Sequence, residues 1–238
     1  GLNRLGFWEN DVDFIAKELA DTSCMEIRSV FSHLAASDDL DEQAFTKTQI
    51  ETFNKIYANL CDELTIRPIK HILNTSGILN YANAQFDMVR CGIGLHGYAN
   101  DPEIDSQLKP TTSLKTIISQ IHKIEPDETV GYNRAYASKG YQTTATIPIG
   151  HADGIGRHFG NEVGEVYVNG SPAAIIGNVC MDMIMIDITG IECKEGDEVV
   201  VFGGPYSAEV LAGKAGTISY ELITGISQRI PRLITGEI

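Results

Sequence analysis

Hydrophobic positions recur at helical spacing from the first residues of the chain. Val12, Ile15, Ala16 and Leu19 mark an amphipathic helix over 11–20, with Asn10 as its N-cap. An apolar run of strand length covers 27–34. A long amphipathic helix is expected over 41–64, its buried face built from Phe45, Ile50, Phe53, Ile56, Tyr57 and Leu60. Residues 68–73 form a short strand pattern, 76–81 at most a brief helix, and 86–93 a further strand pattern. Alternating strands and helices imply a parallel sheet with right-handed crossovers.

From Leu114 the pattern changes. β-rich runs at 114–124, 142–148, 165–168, 173–176, 183–188 and 198–202 are separated by Gly, Pro, Asn and Asp turns. Asn169-Gly170 is a strong hairpin signal, and one helix is expected over 218–226, capped by Thr217 or Gly216. The acidic, proline-containing stretch 99–110 marks a boundary between domains 1–110 and 111–238. The first domain offers only three or four parallel strands, whereas a closed eight-stranded α/β barrel takes about 250 residues. Half a barrel alone would leave two open sheet edges. The expectation is an α/β plus all-β chain: the second part of a (β/α)8 barrel, then a mostly antiparallel β domain. The opening Gly1–Phe7 resembles a loop leaving a strand, so an N-terminal portion is expected to be missing.

Composition narrows the partners. With 43% hydrophobic and 21% charged residues among 238, the chain is ordinary globular protein. A formal net charge of −14 argues against nucleic acid, whose phosphates are held by Lys and Arg. It leaves room for one small anion held by backbone N–H groups. The five cysteines are scattered without a C-x-x-C pair, which fits free thiols in a reducing cytoplasm. No apolar run approaches a membrane span, so no membrane partner is expected.

Gly92-Ile93-Gly94-Leu95-His96-Gly97 matches G-x-G-x-x-G, but turn residues follow where a dinucleotide site needs a helix. Glycine N–H groups at the end of a parallel strand suit a phosphate instead, and barrel enzymes carry their sites at that face. Arg90, in the apolar run 88–93, must find a partner or reach solvent. His33 is either a hydrogen-bonded core residue or a site group, and Asn74-Thr75-Ser76 either binds an anion or caps a helix. Polar groups ending three consecutive strands define a site. In the β domain the candidate loops hold Tyr132, His151 to Gly154, and Asn178 to Met183. Tyr132 and Met181 have plain alternatives in packing or surface roles. Neither metal-ligand spacing nor a G-x-S-x-G elbow occurs. The residues alone describe a phosphate-binding half-barrel with a β partner domain.

Taken in order, the motifs resemble the alanine racemase family across the whole chain. They are Gly-Leu-Asn-Arg-Leu-Gly-Phe (1–7), Phe-Ser-His-Leu-Ala (31–35), His-Ile-Leu-Asn-Thr-Ser (71–76), Phe-Asp-Met-Val-Arg-Cys-Gly-Ile (86–93), Val-Gly-Tyr (130–132), Ile-Pro-Ile-Gly-His-Ala-Asp-Gly (147–154), Val-Cys-Met-Asp-Met (179–183), Gly-Thr-Ile-Ser-Tyr-Glu (216–221) and Ser-Gln-Arg-Ile-Pro-Arg (227–232). Ser37-Asp38-Asp39 and 183–187 look most like racemases fused behind a ligase domain.

The resemblance implies pyridoxal phosphate (PLP) as cofactor and interconversion of L- and D-alanine by two bases, supplying D-alanine for peptidoglycan. It implies Tyr132 as the base on one face of the substrate, with His33 hydrogen-bonded to it and Arg90 to His33. Arg90 would also face the pyridine nitrogen. Thr75, the N–H groups of Gly92 and Ile93, and Tyr220 map to phosphate contacts, and Arg4 and Met181 to the substrate carboxylate. A cytoplasmic homodimer with composite active sites is expected, and no metal.

Departures accompany the likeness. The A-V-x-K-A-x-A-Y-G-H-G segment that carries the family's PLP lysine is not found in the sequence, nor is the lysine that often precedes the Arg4 motif. On this reading the chain is inactive alone. His151 and His96 stand where tyrosines are common, which bears on substrate entry and preference. Two other readings compete: a barrel-type PLP amino-acid decarboxylase, whose glycine-triplet loop and Cys-Glu-Ser-Gly-Asp segment are absent, and a non-catalytic dimerisation or binding module.

Overall fold

The computed structural model describes residues 1–20, 22–99 and 101–236, which divide into two compact units, Gly1–Leu108 and Lys109–Ile238. Asn100, within the expected boundary stretch, lies outside the described residues.

In the first unit a 3-10 turn, Glu9–Asp11, leads into α1 (Val12–Ala20). Asn10 lies inside that turn and does not cap it; Trp8 is the capping position, its N–H donating to the Asp11 carboxylate at 2.7 Å. Only Ser29–Phe31 (β1) and Ile69–His71 (β2) form regular strands, paired in parallel with Phe31 opposite His71. The expected third strand at 86–93 does not form a strand: Phe86-Asp87 is a turn with Phe86 at positive φ, 88–91 is irregular chain and Ile93 opens a 3-10 turn. The segment is joined to β2 and its extension by two backbone bonds, Asp87 N–H to Lys70 O and Arg90 N–H to Leu73 O. Two bonds are too few for a ladder.

Helix α2 (Gln43–Leu64) buries Thr46, Gln49, Phe53, Leu60 and Cys61, while Phe45 is left exposed. The apolar face is thus displaced by one position at its start. Polar groups are buried there because they have partners: Thr46 Oγ1 donates to Ala36 O at 3.1 Å, and Gln49 serves the backbone around His33. Leu34, Phe53, Ile72, Leu73, Tyr81 and Ala84 form the core between α2, the strand ends and α3 (Thr75–Asn80). The short α4 (Pro102–Asp105) closes the unit.

The second unit is a seven-stranded antiparallel sheet in the order β3 (Leu114–Ile117), β11 (Glu198–Phe202), β8 (Glu165–Val168), β9 (Ser171–Ile176), β10 (Ile184–Asp187), β7 (Gln142–Ile147), β4 (Gln120–Ile124). The single run expected at 114–124 is therefore two strands on opposite edges. The corner between them explains how. Ile118 N–H donates to Asp197 O at 2.9 Å, and the next residue, Ser119, donates to Thr146 O at 2.8 Å. One step along the chain moves the pairing from one edge to the other, so the sheet curls back on itself and its edge problem is largely removed. Ile147, Ile175, Ile186, Val166, Val168 and Val199 fill its interior. Asn169 and Gly170, both at positive φ, make the expected two-residue hairpin turn.

Two small elements were not evident in the pattern. A hairpin with strands of only two residues pairs β5 (Thr129–Val130) with β6 (Tyr136–Ala137), and α5 (Ala208–Lys214) is capped by the Ser207 hydroxyl. The last helix, α6, is shorter than expected (Ser219–Thr224) and starts after Ile218, because the Thr217 hydroxyl is drawn to Glu221 instead of capping.

Candidate active site

The C-terminal ends of β1 and β2 gather around Arg90. Its Nη1 meets His71 Nδ1 at 2.6 Å, and its Nη2 meets Ser32 O at 2.9 Å, His33 Nδ1 at 3.2 Å and Ile72 O at 3.2 Å. The guanidinium also lies 5.1 Å from the Phe31 ring, which stacks on His71. A guanidinium can only donate, so both imidazoles accept at Nδ1 and carry their proton on Nε2. Burial lowers the pKa of both histidines, and the Arg90 charge lowers each further; Arg4 adds to the effect on His33. Two neutral rings with outward-usable Nε2–H donors result.

His71 was not singled out among the candidate residues. The pairing rule could have found it, since it lies opposite Phe31 and two positions from His33. Gln49 fixes the His33 peptide, its amide nitrogen donating to His33 O at 2.7 Å and its oxygen accepting from Ala35 N–H at 3.1 Å.

These shifts predict a pH dependence. A histidine with a lowered folded pKa contributes stability that is present above its ordinary value of about 6.5 and is lost as pH falls through the folded value. Imidazole nitrogen shifts of His33 and His71 should stay at the neutral Nε2–H pattern below pH 6.5. A titration at the ordinary value for both would remove the Arg90 arrangement.

Next to this cluster, the N–H groups of Gly92 and Gly94 converge on the buried Thr75 Oγ1, at 3.0 and 3.3 Å. A Cβ on Gly94 would lie 2.9 Å from Cys91 Sγ and 3.0 Å from Thr75 Cγ2, so the loop depends on a bare glycine. Asn74 caps α3, its Oδ1 accepting from Gly77 N–H at 3.0 Å. Ile93 heads the 3-10 turn Ile93–His96, which ends at Gly97 in the left-handed region.

The second unit places its candidates on two adjoining loops. Tyr132, 73% exposed, tips the β5–β6 hairpin. Asn178 Nδ2 donates to Tyr132 O at 3.0 Å and so ties that tip to the loop carrying Met181. Met181 is exposed rather than core. Its carbonyl accepts from Ala152 N–H at 3.0 Å, and the Cys180 carbonyl accepts from His151 N–H at the same distance. Tyr220 lies in α6 and is half-buried. Arg4 is exposed in the first unit. Among the described residues no group of His, Cys, Asp and Glu is placed to hold a metal ion, and no helix is long and apolar enough to cross a membrane.

The parts define a class: a stretch of α/β barrel with a cationic cluster at its strand ends, followed by a curled antiparallel β domain. Residues 1–100 match the family model for the alanine racemase N-terminal domain, and 111–234 that for the alanine racemase C-terminal domain. Alanine racemase 2 of Caldanaerobacter subterraneus subsp. tengcongensis is 37% identical over 243 residues, covering 98% of this chain and 62% of that protein. The alanine racemase of D-cycloserine-producing Streptomyces lavendulae matches with a TM-score of 0.92 at 28% identity, over 100% of this chain and 65% of that one. The alanine racemase of Bartonella henselae, solved with covalently bound pyridoxal phosphate, matches at 0.82 and 29% identity, over 98% and 64%. The chain belongs to the alanine racemase family. It spans less than two thirds of the length of these relatives.

Proposed function

We propose that this chain is part of a PLP-dependent alanine racemase that interconverts L- and D-alanine and supplies D-alanine for peptidoglycan. The observation that carries the reading, within this family, is the Arg90 guanidinium fixed among His33, His71 and two strand-end carbonyls.

The residues present suit the cofactor. Gly92 and Gly94 aim two N–H groups at one point, and the bare Gly94 leaves room that a Cβ would fill. A phosphate would take over the Gly92 N–H now held by Thr75, with the Thr75 hydroxyl, Ile93 N–H and Tyr220 as further donors. Among the described residues Arg90 Nε–H has no acceptor, which leaves a donor for the pyridine nitrogen. PLP supplies the electron sink that acidifies the Cα–H of an attached amino acid.

Tyr132 then takes or returns the Cα proton on one face, and a lysine of the family's A-V-x-K segment, elsewhere in a longer protein, serves the other. In the homodimer proposed below, His33, with its proton on Nε2, would donate across the subunit boundary to the phenolic oxygen and favour its deprotonated form. Arg90 keeps His33 in that tautomer. Arg4 and the Met181 N–H hold the substrate carboxylate. The assembly in this reading is a cytoplasmic homodimer with composite sites, in which Tyr132 and Met181 of one protomer reach the barrel of its partner.

Full-length protein carrying this chain should racemise L-alanine, followed by circular dichroism, with deuterium entering Cα from heavy water. Residues 1–238 alone should be inactive. No racemisation by the full-length protein with PLP added would sink the reading.

A further inference from the structure

Asp153, Asp182 and Arg229 are far apart in sequence and form one ion cluster that the roles above do not use. Asp153 is 3% exposed; its Oδ2 accepts from Gly150 N–H at 2.9 Å and its Oδ1 from Arg229 Nε at 2.7 Å. Arg229 Nη2 donates to Asp182 Oδ1 at 2.6 Å. Burial alone would raise the Asp153 carboxyl, but Arg229 and the Gly150 N–H outweigh it and hold it below its ordinary value. Asp153 O also accepts from Ser227 N–H at 3.0 Å, which pins the segment that carries Arg229.

The two carboxylates belong to two loops. Asp153 ends the loop whose His151 and Ala152 N–H groups donate to Cys180 O and Met181 O. Asp182 follows Met181 directly. One guanidinium therefore bridges both sides of a joint that consumes the Met181 carbonyl, while the Met181 N–H has no acceptor among the described residues. That leaves the N–H as a fixed donor beside an exposed side chain.

We propose that Arg229 is a positioning residue: through Asp153 and Asp182 it locks the Met181 peptide so that its N–H meets the substrate carboxylate. The assignment rests on the racemase reading.

Arg229→Gln removes one arm of the bridge. In the protein carrying this variant, amide exchange at His151 and Ala152 should quicken about tenfold, with Ile147 and Ile186 in the strands unchanged. In full-length enzyme the KM for alanine should rise about tenfold while kcat stays within about threefold, the mark of lost substrate binding. Arg229→Lys should restore part of both effects. Unchanged exchange and KM in an active enzyme would overturn the role of Arg229 and leave the racemase reading standing. Faster exchange with unchanged KM would overturn the link to the carboxylate. A wild-type protein that does not racemise alanine would remove the reading and this assignment together.

Discussion

Gly150→Ala is expected to destabilise the protein by about 3–5 kcal/mol, among the largest effects of any single methyl group in the second unit. The added Cβ would stand 2.4 Å from both Cys180 O and Met181 O. Those atoms are backbone, so no side chain can rotate aside. Relief requires the two loops to part, which breaks the His151–Cys180 and Ala152–Met181 bonds and pulls Asp153 from its Gly150 N–H. Gly140→Ala is the control, because a Cβ there meets nothing within 4 Å. It should change stability by no more than about 0.5 kcal/mol. Denaturant unfolding of both variants decides the matter. A Gly150→Ala cost under about 1 kcal/mol would mean that the loops are not in this contact.

That joint was half legible in the sequence. Gly150-His151-Ala152-Asp153-Gly154 and Asn178 to Met183 stand out as loops, but no pattern says that they touch, because the contact is backbone to backbone. Strands were read well where both flanks carry turn residues: Glu165–Val168 and Glu198–Phe202 fall at their expected limits. The run at 114–124 misled for a physical reason. Hydrophobic spacing continues through Ile118, which is buried, and only hydrogen-bond partners reveal the corner there. Helix α5 was hidden by Gly213 within it and by the glycines on either side, which weigh against a helix when residues are taken singly.

The cationic cluster divides the same way. Arg90 in an apolar run demands partners, and the strand-end position of His33 offers one. The second histidine was less visible, since His71 ends a strand only three residues long and its companion Lys70 is polar too. A charge in an apolar context announces itself, whereas the neutral acceptors that satisfy it do not. The roles proposed for Tyr132, Tyr220 and Met181 rest on the resemblance to a family, since composition and periodicity could not reach them.

Tyr132→Phe tests those roles with the cleanest separation of function from stability. The ring is 73% exposed, and among the described residues its hydroxyl has no hydrogen-bond partner. Its backbone carbonyl, held by Asn178, is untouched by the change. Unfolding free energy should therefore stay within about 0.5 kcal/mol of wild type. If Tyr132 is the base on one face, racemisation by the full-length enzyme should fall by about two to four powers of ten. Proton exchange at Cα should also become lopsided. In heavy water the enantiomer whose Cα–H faces the remaining lysine should still exchange its proton, and the other should not. Replacing a purely structural tyrosine would slow exchange from both enantiomers alike or from neither. Residual exchange of equal size from L- and D-alanine would take the proton-transfer role away from Tyr132, whatever happens to the overall rate.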